Sequence, residues 1–174
     1  MKRIVLLLSM ALLCMMSATV TAQKYAFIDM EYILKNIPAY EMTNEQLGQL
    51  SERWQAEVEK LLQEAQTMYK NFQSELVFLS AEMKSKREEE ILKKELEAQE
   101  LKRKYFGAEG ELYKQRERLM KPIQNELYEA VKAIATEKGY DMVLDRASSM
   151  SFVIFASPKI DISNEVLLKM GYAK

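Results

Sequence analysis

Val77-Phe-Leu-Ser-Ala-Glu-Met-Lys-Ser-Lys-Arg87 decides how this chain folds, because it lies between two long helical seams and carries the signals of a reversal. Ser80 or Ser85 can cap a new helix, and Glu88 stands three residues after Ser85, the spacing of a capping box. The reading places a tip near 78–87, with Phe78, Leu79, Lys84, Lys86 and Arg87 as the residues exposed there.

On the N-terminal side, Leu47, Leu50, Trp54, Val58, Leu61, Ala65, Met68, Phe72, Leu76 and Leu79 recur at alternating steps of three and four. This is the apolar seam of a coiled coil. On the C-terminal side Ala98, Leu101, Tyr105, Ala108, Leu112, Leu119, Ile123, Leu127, Ala130 and Ile134 keep similar spacing, with gaps at Lys94 and Gln115. Residues 43–134 are therefore expected to form one antiparallel hairpin arm. An outgoing helix of about 36 residues would reach about 54 Å at 1.5 Å rise per residue, well beyond a small body.

The return half carries three residues that strain a helix. Gly107 and Gly110 fall roughly opposite Trp54. They read either as a flexible joint, since a helix-interior glycine costs about 1 kcal/mol relative to alanine, or as small residues making room for the indole. Pro122 removes a helix hydrogen bond and is expected to bend the arm near the body. These three form the candidate hinge.

Further outward lie short β-prone runs. Tyr25-Ala-Phe-Ile-Asp29 opens the body and precedes a helical turn over Met30 to Asn36, which Pro38 ends or restarts. Beyond the helix stop Gly139 come Tyr140–Asp145 and Ser151–Ala156, read as two strands. A last amphipathic helix follows, with Ser163 as its N-cap and Gly171 as its stop. Residues 23–42 and 135–174 are thus expected to form one β-rich body, mainly-α in the whole α+β chain. Phe152 to Ala156 is apolar without alternation, so both faces need cover that three short strands cannot supply. Edges of this kind are closed by copies of the same chain. Phe27, Ile28, Met142, Val143, Leu144, Phe152 and Ile154 are the candidate body core and oligomer contacts.

Residues 1–22 read as an export signal, with Lys2 and Arg3 before the apolar run Ile4–Met16 and cleavage expected near Ala22. Without them the chain has 23 basic and 26 acidic side chains, a net charge of −3, and no cysteine, because Cys14 leaves with the leader. Histidine is absent throughout. Zinc sites, Cys-His nucleophiles and Ser-His-Asp triads are excluded on that ground, and no glycine-rich phosphate loop or Walker lysine is present. The reading is of a non-enzyme without cofactor, metal or nucleotide. Interleaved charge without a basic face argues against nucleic acid.

Taken in order, several blocks are similar to the Skp/OmpH family of periplasmic chaperones: Tyr25-Ala-Phe-Ile-Asp-Met-Glu31, Lys104-Tyr-Phe-Gly-Ala-Glu-Gly-Glu-Leu-Tyr113, Lys121-Pro-Ile-Gln124, Lys138-Gly-Tyr-Asp-Met-Val-Leu-Asp145 and Asp161-Ile-Ser-Asn-Glu-Val-Leu-Leu-Lys-Met-Gly171. The resemblance implies a homotrimer whose β bodies join and whose arms surround a cavity. It also implies a periplasmic holdase that shelters unfolded outer-membrane proteins without nucleotide. Met42, Met68, Met83 and Met120 are adaptable enough for such contacts, although methionine at helical spacing is more often core filler. Lys84, Lys86 and Arg87 could touch an acidic membrane surface weakly, but a solvated charged turn is the preferred reading. Asp29, Asp141 and Asp145 have no calcium-loop spacing and are read as serving turns. The rival function is an exported structural adaptor that docks a transport or assembly complex.

Overall fold

The computed structural model describes residues 23–148 and 153–172. The expected leader over 1–22, and Phe152 with its neighbours 149–152, lie outside the described residues.

Strand β1 (Tyr25–Ile28) leads into helix α1 (Met30–Lys35). Asp29 caps α1 by accepting a hydrogen bond from the Tyr32 amide, and Asn36 closes it. Helix α2 (Pro38–Glu75) begins five residues before the expected Thr43. Pro38 sits at its first position, where a missing N–H costs nothing and the fixed φ suits the helix. Thirty-eight residues make α2 about 57 Å long at 1.5 Å rise per residue. It ends at Glu75, so Leu76 and Leu79, read as the last seam positions, lie in the reversal instead.

The return path consists of two helices, α3 (Ala81–Phe106) and α4 (Glu111–Lys138), where the periodicity read as one. Helix α2 is antiparallel to both, packing its far half on α3 and its near half on α4. Helix α4 continues through Pro122. Gly139 ends it in the left-handed region at φ 67°, where its amide returns a bond to Ala135 O. Strand β2 (Met142–Asp145) then pairs in parallel with β1, Tyr25 against Met142 through Ile28 against Asp145. A 3-10 turn (Pro158–Ile160) and helix α5 (Ser163–Lys169) complete the body.

Two body expectations are corrected. Residues 153–156 form no strand, so the described sheet is two-stranded. The other edge of β1 is met by a single bridge at Asp161, with the Ile162 amide donating to Phe27 O at 2.8 Å. Ser163 is the first residue of α5 rather than its cap. Its hydroxyl donates to Asp161 at 2.6 Å and accepts from the Asp29 amide at 2.8 Å, tying the last helix to the end of β1.

One core joins both ends of the described chain. Ala26 and Ile28 from β1, Ile33 and Ile37 around α1, Ile123, Leu127, Ala130 and Ile134 from α4, and Ile162, Val166 and Leu167 from the C-terminal segment pack as a single cluster. The near end of α4 therefore belongs to the body's packing as well as to the arm.

Candidate functional site

Local sequence sets the tip. With α2 ended, Phe78 N bonds back to Glu75 O at 2.9 Å, and Ser80, not Ser85, caps α3 by accepting from the Met83 amide. Ser85 lies within the helix, so its box with Glu88 is not what starts α3. Val77 and Phe78 are 88% and 86% exposed, while Leu79 and Lys84 are half-covered and Lys86 and Arg87 face solvent. Arg87 reaches across to Glu75 at 3.6 Å.

Below the tip the seam is covered at every outgoing position from Leu47 to Phe72, with Leu47, Val58, Ala65 and Phe72 buried. Ile91 and Ala98 face them from α3. The gap at Lys94 has a physical use: its ammonium lies 3.4 Å from Glu64 and 3.3 Å from Glu97. Hydrogen bonding to Glu97 first, then that carboxylate's charge, raises the Lys94 pKa.

Mid-arm, Trp54 stacks on Tyr105 with ring centroids 4.6 Å apart and planes within 5°. The Tyr105 hydroxyl donates to Glu57 at 2.7 Å, and this bond, ahead of desolvation, raises the tyrosine pKa. Immediately beyond this clasp the return path breaks. The Gly107 amide donates to Arg103 O and the Gly110 amide to Gly107 O. A Cβ on Gly107 would lie 2.5 Å from Arg103 O, and one on Gly110 2.7 Å from Tyr105 O and 2.8 Å from Gly107 N. The two glycines thus flank a gap between helices instead of sitting inside one. They are required by close backbone approach, and the residue against the indole is Tyr105.

In the body, strand alternation separates the candidate core residues. Ile28 is buried and Val143 packs against the core. Phe27, Met142 and Leu144 point the other way, and with Tyr25 they form an outward apolar sheet face on which Met142 is 50% and Leu144 38% exposed. Ile154 is fully exposed in the single chain, so it is not part of the protomer's core.

The sequence reading missed Arg146, whose guanidinium lies 3.1 Å from Asp29 and 3.0 Å from Asp161. Asp145 accepts from the Met30 and Ala147 amides and Asp141 from the Lys24 amide. These carboxylates serve turns and helix ends. Among the described residues no group of acidic side chains could hold a metal, and no helix is long and apolar enough to cross a membrane. Of the methionines, Met42 and Met83 are exposed, while Met68 and Met120 are half-covered.

A small body with both chain ends in one core and a long antiparallel hairpin projecting from it defines a class of tentacle-armed proteins. Residues 24–170 match the family described as Outer membrane protein (OmpH-like), and the chain belongs to that family. It is 27% identical over 164 residues to a protein named Chaperone protein Skp from Yersinia enterocolitica, covering 91% of this chain and 93% of that one. A protein of the same name from Pectobacterium atrosepticum is 27% identical over 151 residues, covering 84% of each. Among solved structures, a putative outer membrane chaperone (OmpH-like) from Caulobacter crescentus superposes with a TM-score of 0.68 at 12% identity, covering 86% of this chain and 85% of that one. That likeness concerns the fold.

Proposed function

We infer that this chain is an exported, ATP-independent holding chaperone of the periplasm that shelters unfolded outer-membrane proteins between helical arms. The observation that carries the reading is an arm whose internal seam is already satisfied, yet which keeps large apolar side chains in water at its tip and along its length. Such distributed surface binds many apolar sequences weakly and adaptably. Membership of the OmpH-like family and two relatives named chaperones support it.

Assembly belongs to the same reading. The outward sheet face formed by Tyr25, Phe27, Met142 and Leu144, with Ile154 nearby in sequence, is contacted by two further copies, giving a trimer with a cavity between arms. A leader over 1–22, cut near Ala22, delivers the chain. No nucleotide, metal or nucleic acid takes part.

The test is light scattering of a urea-unfolded transmembrane β-barrel diluted with and without the chain. Stoichiometric trimer is expected to suppress scattering. Unchanged aggregation would end the chaperone reading and favour an adaptor with one folded partner. Scattering mass after gel filtration should correspond to three chains, and a monomer would remove the cavity.

A further inference from the structure

The two flanks of the arm's far half differ in chemistry. On one flank, the heptad series Glu90, Glu97 and Lys104 on α3 runs beside Glu57 and Glu64 on α2. Ionic and polar bonds already engage much of it: Lys94 joins Glu64 to Glu97, and Glu57 holds Tyr105. On the other flank stand Gln55, Leu62 and Tyr69 on α2 and the series Leu92, Gln99 and Phe106 on α3, with Glu95 and Lys102 four residues after the seam positions Ile91 and Ala98 on the same side. Residues seven apart return to nearly the same side of a helix, about 10.5 Å further along. Leu62 and Phe106 both line a groove of 460 Å³ there, together with Gln55, Val58, Glu59 and Lys102. Leu62 is 46%, Tyr69 51% and Leu92 55% exposed.

These positions lie outside the seam, so packing of the hairpin does not explain them. Single exposed apolar side chains are ordinary, but an apolar stripe shared by two helices, with amides and a few long charged side chains among its members, is not. We propose that this apolar-amide flank, rather than the ion-paired one, is the arm surface on which an extended segment of unfolded polypeptide lies.

This flank assignment rests on the holdase reading above, and desolvation decides between the two flanks. An unfolded chain brings apolar side chains and unpaired backbone N–H and C=O groups. Covering the charged flank would strip water from carboxylates and ammoniums, and nothing in an uncharged segment replaces it. Covering the other flank buries leucine, tyrosine and phenylalanine, which is favourable, while the long side chains of Glu59, Glu95 and Lys102 can keep their charged ends in water. Gln55 and Gln99 carry both a donor and an acceptor, so each can bond to backbone without a charge being buried. The 10.5 Å heptad step is also unequal to the 6.6–6.8 Å repeat of one strand face, derived from about 3.3–3.4 Å per residue. No register is therefore imposed, which suits a surface that accepts many sequences.

Residues 23–174 contain no cysteine, so the test uses chains of those residues, each with one added cysteine carrying a photoreactive benzophenone. Leu62→Cys and Leu92→Cys report one flank, Glu90→Cys and Lys104→Cys the other, with circular dichroism confirming the fold of each. Irradiation with a urea-diluted transmembrane β-barrel should give adduct yields about tenfold higher at 62 and 92 than at 90 and 104, the contrast expected between anchor and rim positions. Equal yields, or an excess at 90 and 104, would overturn the proposal. So would adducts at 62 and 92 that form only with a second copy of the chain, or only with phospholipid vesicles added without barrel protein. Scattering by the unlabelled chain is read separately. Suppression with equal yields removes the flank assignment alone, whereas no suppression removes the holdase reading and this proposal together.

Discussion

In the body, Ile33, Ile37, Ile162 and Val166 are shut off from water by segments drawn from both ends of the described chain. Along the arm, each helix covers one stripe and leaves most of its circumference wet. The body's contacts are non-local and converge on one point, so losing one disturbs all. The arm's contacts are repeated down a line, and each is shared only with its neighbours across the seam. A large surface held by a thin seam can open locally at low cost while the body stays closed.

The sharpest way to break this contrast is to cut the same kind of contact in each region. Ile33→Ala should cost about 3–4 kcal/mol of global stability in urea denaturation, because its buried site draws on several segments. Val58→Ala in the seam should cost less and appear first as faster amide exchange in α2 and α3, with the body's exchange unchanged. Equal global losses would dissolve the distinction.

Next in size is the break between α3 and α4. Gly110→Ala should destabilise by about 1–3 kcal/mol, since the added methyl meets backbone that must move. Gly48, inside α2 with nothing within 4 Å of an added Cβ, makes the opposite case. Gly48→Ala should stabilise by about 0.5–1 kcal/mol through helix propensity and reduced freedom of the unfolded chain. Thermal melts of the two variants should move in opposite directions.

The smallest expected effect concerns the clasp. Hydrogen bonding to Glu57 raises the folded pKa of Tyr105 above its ordinary value near 10. A group whose folded pKa is raised contributes stability below its unfolded pKa and loses it as pH climbs through the folded one. Trp54, the single tryptophan, should therefore report loosening of the clasp by a red shift of its emission above pH about 10. Tyr105→Phe keeps the stack but should abolish that alkaline step. A step unchanged in the variant would assign it to another tyrosine.

Much of the arm was legible because one physical requirement, a covered stripe on each helix, imposes one period on the sequence. Every outgoing seam residue from Leu47 to Phe72 is covered, and Ser80 and Gly139 mark ends with residues suited to them. The gap at 107–110 was less legible. Tyr105 and Leu112 keep seam spacing across it, and a glycine forced by carbonyl proximity looks the same in sequence as one that merely loosens a helix. The body was harder still. Parallel pairing of β1 with β2 depends on contacts more than a hundred residues apart, for which local pattern carries no register. The apolar run over 153–156 suggested a strand that the single chain does not form. The exposed flank residues Leu62, Tyr69 and Leu92 were overlooked because attention to the seam treats neighbouring heptad positions as solvent-facing, although their own seven-residue repeat was readable.

Each register pair of β1 and β2, from Tyr25 with Met142 to Ile28 with Asp145, joins residues 117 positions apart in sequence. As the polypeptide emerges N-terminus first, its opening strand has no mate until nearly the whole molecule has followed. Local winding of the hairpin can proceed meanwhile, since such near-neighbour contacts form fastest. The hairpin then brings the two distant strands within reach, shortening the loop whose closure entropy would otherwise oppose their meeting. The tentacle is thus also a clamp on its own anchor, holding the two distant strands within reach of each other.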